Sequence, residues 1–247
     1  MNADAVIMLR RNFKHTLRNP VTVFNAVLLP VVIMLMFVYV IGNAFSVGVT
    51  YIDYATPGMI LLAVAYGLGP TATEVNSDMT TGIINRFRVM DVSRGAVMTG
   101  HVVVTMLRSL ISIAAIIGVA FGLGFRPSAS FADWAAVIGI VVAACFATSW
   151  LTVALGLAAK TPQSAAMATV PVIMLPFFSS AIVPADKMGA GVRQFAEYQP
   201  FTPIIEALRG LLAGLPSGGY VIAALAWCAG IAIVGYVWAV ATFRKRA

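Results

Sequence analysis

Few residues in this 247-residue chain are of types that do covalent chemistry. His101 stands near Ser109 and Ser112, the types needed for a base and its nucleophile. No G-x-S-x-G turn accompanies them, so the grouping reads as co-occurrence. No G-x-x-x-x-G-K-[ST] loop occurs and no lysine follows a glycine, so the backbone cradle and lysine that hold nucleotide phosphates are missing. Cys145 and Cys228 fall in apolar stretches, where burial is the ordinary fate of a cysteine. His15 lies in a basic run, where a lone histidine reads as a headgroup contact. What remains are polar groups set singly among apolar neighbours: Asn25, Tyr66, Ser179 and Ser180. Glu206 and Arg209 add a pair three apart on one helix face. Such residues suit holding or passing a molecule rather than making and breaking its bonds.

The elements that position them follow from composition. Sixty per cent of the residues are hydrophobic, 10% are charged and the mean hydropathy is +0.93, whereas soluble domains carry about 25% charged residues. The fold class is an all-α integral membrane protein. Apolar runs near the ~20 residues that span a bilayer occur at 21–41, 54–73, 102–125, 134–158, 165–183 and 220–243, predicting six transmembrane helices. Their continuity argues for helices and against an outer-membrane barrel. Little chain is left for a soluble domain. The N-terminus does not read as a cleavable signal peptide, because its basic region is long and the first apolar run is a full span.

Lysine and arginine are retained on the cytoplasmic side. With both termini on one side, that side holds Arg10, Arg11, Lys14, Arg18, Arg86, Arg88, Arg94, Lys160, Arg244, Lys245 and Arg246. The other side holds Arg126, Lys187, Arg193 and Arg209. Both ends are therefore expected in the cytoplasm. The net charge of +7 is a topology signal, and no nucleic-acid partner is needed to explain it.

Three stretches outside the spans have helical apolar faces. Residues 1–20 carry Val6, Leu9, Phe13 and Leu17 on one side and basic residues on another, as in a helix lying flat on the lipid bilayer. Residues 78–90, DMTTGIINRFRVM, place Ile83, Ile84, Phe87 and Met90 at helical spacing, giving a short amphipathic helix between the second and third spans. Its apolar face could meet either a protein partner or the membrane surface. Within 195–215, Thr202 suits an N-cap, Pro203 a first helical position and Gly214 a helix end, around an apolar face of Ile204, Ile205, Leu208, Leu211 and Leu212. That helix is too short to span, and Glu206 and Arg209 are placed to pair on it. Inside the spans, Pro30, the Gly67, Gly69 and Pro70 group, Pro171 and Pro176 predict distortions. Gly118 and Gly122 suit a close helix contact. Arg108 is expected to snorkel to the inner surface.

Two of these stretches carry a resemblance. DMTTGIINRFRVMDVSR and YQPFTPIIEALRGLLAG resemble the membrane subunits of type-2 ABC exporters, in the branch typified by daunorubicin-resistance exporters. Gln199 stands where an asparagine is usual, and Val89, Met90 and Asp91 replace a stretch that often contains proline. The resemblance implies a bacterial inner-membrane subunit that pairs with a second copy or a homologous permease and with two separate ABC ATP-binding subunits. ATP and Mg would be held by those partners, with no cofactor on this chain. Asp78, Gly82, Ile83, Ile84, Arg86, Phe87 and Arg88 would belong to the coupling helix that docks on an ATP-binding subunit. Residues 1–20 would be the connecting helix. Pro200, Thr202, Pro203, Glu206 and Arg209 would belong to outer re-entrant helices closing the exit. The cargo implied is a small amphipathic, drug-like or lipid-like compound, and Asn25, Tyr66, Ser179 and Ser180 are the candidates for its path.

Other classes fit less well. A secondary transporter would be expected to bury an acid for ion coupling, whereas all nine acids fall in predicted loops or interfaces. A channel or scaffold leaves the 78–90 segment unexplained.

Overall fold

A computed structural model describes residues 20–42, 50–80 and 94–246, and all regular structure among these is helical. Residues 1–19 and 81–93 lie outside the described residues. So does all of the expected connecting helix except Pro20, and all of the expected coupling helix after Thr80. Helix α1, Pro20–Met36, continues through a π-helical turn, Phe37–Ile41. Helices α2, Tyr51–Tyr66, and α3, Leu68–Thr80, follow end to end. Then come α4, Arg94–Gly122; α5, Phe131–Ala158; and α6, Pro162–Met174, which tightens into a 3-10 turn at Leu175–Phe178. Helices α7, Ala190–Tyr198, and α8, Phe201–Leu212, are short, and α9 runs over Gly218–Arg246.

Four stretches are long and apolar enough to cross a membrane: Tyr51–Thr80, Val97–Gly122, Phe131–Ala158 and Gly218–Lys245. Val27–Val40 and Pro162–Phe178 are shorter apolar helices. α2 is buried along nearly its whole length, as a helix apolar on all sides must be. α9 packs on α5 and α8 and turns Ile222, Leu225, Ile233, Val234 and Val237 outward. An apolar face of that size is stable only against lipid or another chain.

Local chemistry explains the breaks. Pro70 has no N–H to give to the Tyr66 carbonyl one turn earlier, so the rod Tyr51–Thr80 lapses at Gly67 and restarts with Pro70 in its first turn. A side chain at Gly67 would sit 3.2 Å from Ser109 Oγ, so the break is also where α4 comes close. α5 starts from a capping box, with Ser130 N–H donating to Asp133 Oδ2 at 2.9 Å and Asp133 N–H to Ser130 Oγ at 3.2 Å. Gly214, at φ +66°, ends α8 while Leu215 N–H donates to Gly210 O at 2.8 Å.

Several expectations are corrected. Gly118 and Gly122 meet nothing within 4 Å among the described residues. The close crossings are at Gly58, whose Cβ would lie 2.6 Å from Ala181, at Gly156, 2.7 Å from Ala72 O, and at Gly235, 2.6 Å from Leu151 N. Arg108 does not snorkel: its side chain is 4% exposed and donates to both oxygens of Glu74, at 3.0 and 3.1 Å. A carboxylate one helix away satisfies it better than a stretch toward headgroups would. Glu74 is thus an acid inside a candidate span, not in a loop, and both its oxygens accept from Arg108. Asp78 belongs to the end of α3 rather than to a separate helix. His101 Nε2 faces its Oδ2 at 3.2 Å, so the histidine's partner is not a serine.

Candidate functional site

Near the start of α2, the first turns of α8 meet the stretch that follows α6. Arg209 is the centre of that junction. Its Nη1 donates to Glu206 on the same helix face. Its Nη2 donates to Ser180 O at 2.7 Å and to Tyr54 O at 3.2 Å, and its Nε reaches Tyr54 O at 3.3 Å. The guanidinium carbon stands 3.9 Å from the centroid of the Tyr54 ring, a cation–π stack. Tyr54 Oη in turn donates to Ser180 O at 2.8 Å. One planar fork therefore ties α8, α2 and the turn after α6, which is what arginine's fixed donor geometry allows and lysine's does not.

The need for such a tie follows from the sequence. Pro171 and Pro176 deprive α6 of N–H donors, so its last turn is a 3-10 helix and the chain leaves helical geometry at Ser179. Ser179, Ser180 and Ala181 are buried there, and the groups freed around them need partners. Gln199 Nε2 donates to Leu175 O at 3.1 Å, Arg209 and Tyr54 serve Ser180 O, and Ser179 Oγ accepts from Ala181 N–H at 3.1 Å while donating to Pro176 O. α8 begins at Phe201 with Pro200 before it, two residues earlier than its sequence suggests. Thr202 is therefore not the cap: its hydroxyl accepts long contacts from Ser180 N–H and Gln199 Nε2, both at 3.4 Å. Pro203 falls in the first turn, where its missing N–H has no helical partner to lose. Ile204, Ile205, Leu208, Leu211 and Leu212 are all buried.

Glu206, Arg209 and Tyr54 also line a half-open cavity of about 730 Å³ with Asp53, Arg126 and Asp186. Arg126 spends its guanidinium on carbonyls at and just past the end of α4, at 3.4 Å from Phe121 O and 3.1 Å from Phe125 O, while its N–H donates to Asp53 Oδ1 at 3.2 Å. A second, almost wholly apolar groove of about 450 Å³ runs between α6 and α7, lined by Pro171, Met174, Phe178, Val192 and Phe195. α7 carries an exposed Arg193–Glu197 pair at 2.7 Å, and the carboxylate holds that guanidinium above its usual pKa.

Of the residues singled out for a path, the structure brings Ser179 and Ser180 into the Arg209 junction, where both are buried and neither lines either cavity. Tyr66 lies half-buried against the core at the end of α2, and Asn25 is on α1 with its side chain outside the described residues. Gly82, Ile83, Ile84, Arg86, Phe87 and Arg88 also lie outside the described residues. Sequence reasoning missed Tyr54. An aromatic residue at the start of a span is an ordinary boundary anchor, and nothing local marks it as a partner 155 positions from Arg209. It also missed Asn76, fully buried on α3, whose Nδ2 donates to Gly156 O at 3.0 Å and Ala159 O at 2.6 Å. Those are end carbonyls of α5 that no helical N–H reaches.

Residues 4–213 match the family model described as ABC-2 type transporter. The chain is 28% identical over 205 residues to a daunorubicin resistance ABC transporter permease protein of Streptomyces coeruleorubidus, covering 82% of this chain and 71% of that one. It is 28% identical over 243 residues to a probable doxorubicin resistance ABC transporter permease protein of Mycobacterium tuberculosis, covering 94% and 85%.

Proposed function

The chain belongs to the ABC-2 type transporter family, and from that premise we propose that it is the permease subunit of an ATP-binding-cassette exporter that moves a small amphipathic, drug-like or lipid-like compound outward. ATP is hydrolysed on two separate ABC subunits, and a second permease, identical or homologous, completes the pathway. The observation that carries this is the family match over residues 4–213, joined to two relatives named as a daunorubicin resistance and a probable doxorubicin resistance ABC transporter permease. Nothing in the chain resembles a phosphate-binding loop, which agrees with hydrolysis elsewhere.

In this reading α1 and Pro162–Phe178 are the two further spans beside the four long ones. The termini and Lys160 face the cytoplasm, and Lys187, α7 and α8 face out. Residues 78–90 meet the ATP-binding subunit, and Arg209 braces the outer closure. The test is daunorubicin uptake into inside-out vesicles from cells making the chain together with an ABC ATP-binding subunit. ATP-dependent uptake is expected, and Phe87→Asp should abolish it while weakening co-purification of the ATP-binding subunit. Uptake and ATPase binding both unchanged in Phe87→Asp would remove the coupling assignment. No ATP dependence in the native protein would return the chain to the secondary-transporter or channel-like class.

A further inference from the structure

α3 and α4 are consecutive helices joined by residues 81–93, and beside the apolar cluster that Val75 and Met79 share with Met98, Val102 and Met106 they make three polar contacts. Thr71 Oγ1 and Thr105 Oγ1 are 2.9 Å apart, Arg108 grips Glu74, and His101 meets Asp78. Residues 71, 74 and 78 share one face of α3, and residues 101, 105 and 108 share one face of α4. The contacts thus form a ladder of three rungs along the crossing. Thr71, His101, Thr105 and Arg108 are each no more than 5% exposed. Thr105 also donates to His101 O at 2.7 Å, a bond one turn back within α4.

A polar ladder behaves differently from an apolar seam. Apolar faces can slip past one another with most of their contact area conserved, because dispersion has little direction. Hydrogen bonds and buried ion pairs have direction, and a shift of one turn would part all three rungs and leave a carboxylate and a guanidinium facing apolar surroundings. Shear between α3 and α4 would therefore part these three contacts at once.

We propose that α3 and the first half of α4 form one rigid hairpin, and that Glu74, Asp78, His101 and Arg108 are positioning residues through which displacement at the 81–93 end is passed to the spans as a single movement. The transmission role rests on the exporter reading given above, whereas the rigidity does not. The first experiment uses the chain alone in lipid nanodiscs, with spin labels at Thr80→Cys and Thr99→Cys, both exposed positions flanking the junction. The interlabel distance distribution should be narrow. Arg108→Gln and His101→Gln should each broaden it about twofold, and Arg108→Lys should restore most of the sharpness. Ser149→Ala, a buried position on α5 away from the ladder, should leave it unchanged. A distribution equally narrow in Arg108→Gln and His101→Gln overturns the rigid hairpin.

The second experiment measures daunorubicin transported per ATP hydrolysed in inside-out vesicles containing the ATP-binding subunit. Arg108→Gln should keep hydrolysis within about twofold of native while transport per ATP falls about tenfold, with Arg108→Lys recovering most of the ratio. Transport and hydrolysis falling in proportion would mean that the ladder only supports folding, and would overturn transmission. Native vesicles that neither hydrolyse nor transport would sink the exporter reading and transmission together, while the nanodisc distances still decide rigidity.

Discussion

Exchanging the charges of Glu206 and Arg209 separates two accounts of the Arg209 junction. If the residues matter only as an ion pair, Glu206→Arg with Arg209→Glu rebuilds the pair and should cost little. The structure leads to the opposite expectation. Arg209 gives donors to Tyr54 O and Ser180 O as well as to Glu206, and it stacks on Tyr54. A carboxylate at 209 would face two carbonyl oxygens that it can only repel.

The magnitudes follow from the contacts. Removing one partner of a fully buried pair costs about 3–5 kcal/mol, and the side-chain exposures of 17% and 26% here place this pair at or below the lower end, about 2–3 kcal/mol. The lost stack adds about 0.5–1 kcal/mol, and the donor lost to Tyr54 O about 1 kcal/mol more. Ser180 O keeps its bond from Tyr54 Oη, so it adds little. Arg209→Met is therefore expected to destabilise by about 4 kcal/mol. Arg209→Lys should cost about 2 kcal/mol because an ammonium cannot bridge three acceptors and stack at once. Glu206→Gln should cost about 1 kcal/mol, since an amide oxygen still accepts from Arg209. The exchange should be no better than Arg209→Met. Reversible unfolding in mixed detergent micelles, followed by tryptophan fluorescence, gives these differences. An exchange variant within about 1 kcal/mol of native would refute the reasoning.

What was legible beforehand is what short stretches of chain decide by themselves. The apolar runs are visible because a bilayer demands length and continuity, and four of them lie on helices long and apolar enough to cross one. The breaks at Gly67 and after Pro171 are visible because proline removes a specific N–H from a specific carbonyl. The apolar face of α8 and its end at Gly214 are equally local. Illegible were the partners. Glu74 and Arg108 are 34 positions apart, Asn76 and Gly156 are 80, and Tyr54 and Arg209 are 155, so no spacing rule connects them. Arg108 was expected to snorkel because a charge within a span is costly, and its actual partner lies on another helix. Gly118 and Gly122 show the same limit from the other side: a small-residue spacing declares that a close approach is affordable, not that any helix makes it. Ser179 and Ser180 stood out as polar residues in an apolar run. Their work is to repair the backbone that the prolines interrupt, a role visible only once residues 175–181 are seen to leave the helix.

Asn76→Leu should destabilise by about 2 kcal/mol, because the end carbonyls Gly156 O and Ala159 O lose their donor, and Asn76→Asp should cost more by turning a carboxylate toward them. Micelle unfolding checks the order, and an Asn76→Asp variant as stable as native would remove the clamp. Gly156→Ala should cost about 1–3 kcal/mol, since its Cβ would press on Ala72 O and on the Val75 side chain at 3.0 Å, whereas Gly139→Ala, with nothing within 4 Å, should be neutral or better. Membrane abundance of the two variants gives the comparison. The same logic applied within one helix gives the sharpest case, on α9. Gly230 and Gly235 are both mid-helix glycines, so helix propensity alone says that alanine at either should stabilise by about 0.5–1 kcal/mol. Gly230 has open space around it, and Gly230→Ala should show that gain. At Gly235 a methyl group would sit 2.6 Å from Leu151 N and 2.8 Å from Trp150 C, both backbone atoms of α5 that cannot rotate away. Next to it Tyr236 packs edge-on against Trp150, with ring centroids 4.9 Å apart. Gly235→Ala must therefore push α9 off α5, lose that ring contact and destabilise by about 1–3 kcal/mol, a change of sign between two positions five residues apart. Equal stabilisation by both alanines would mean that α9 does not lie on α5 along this face.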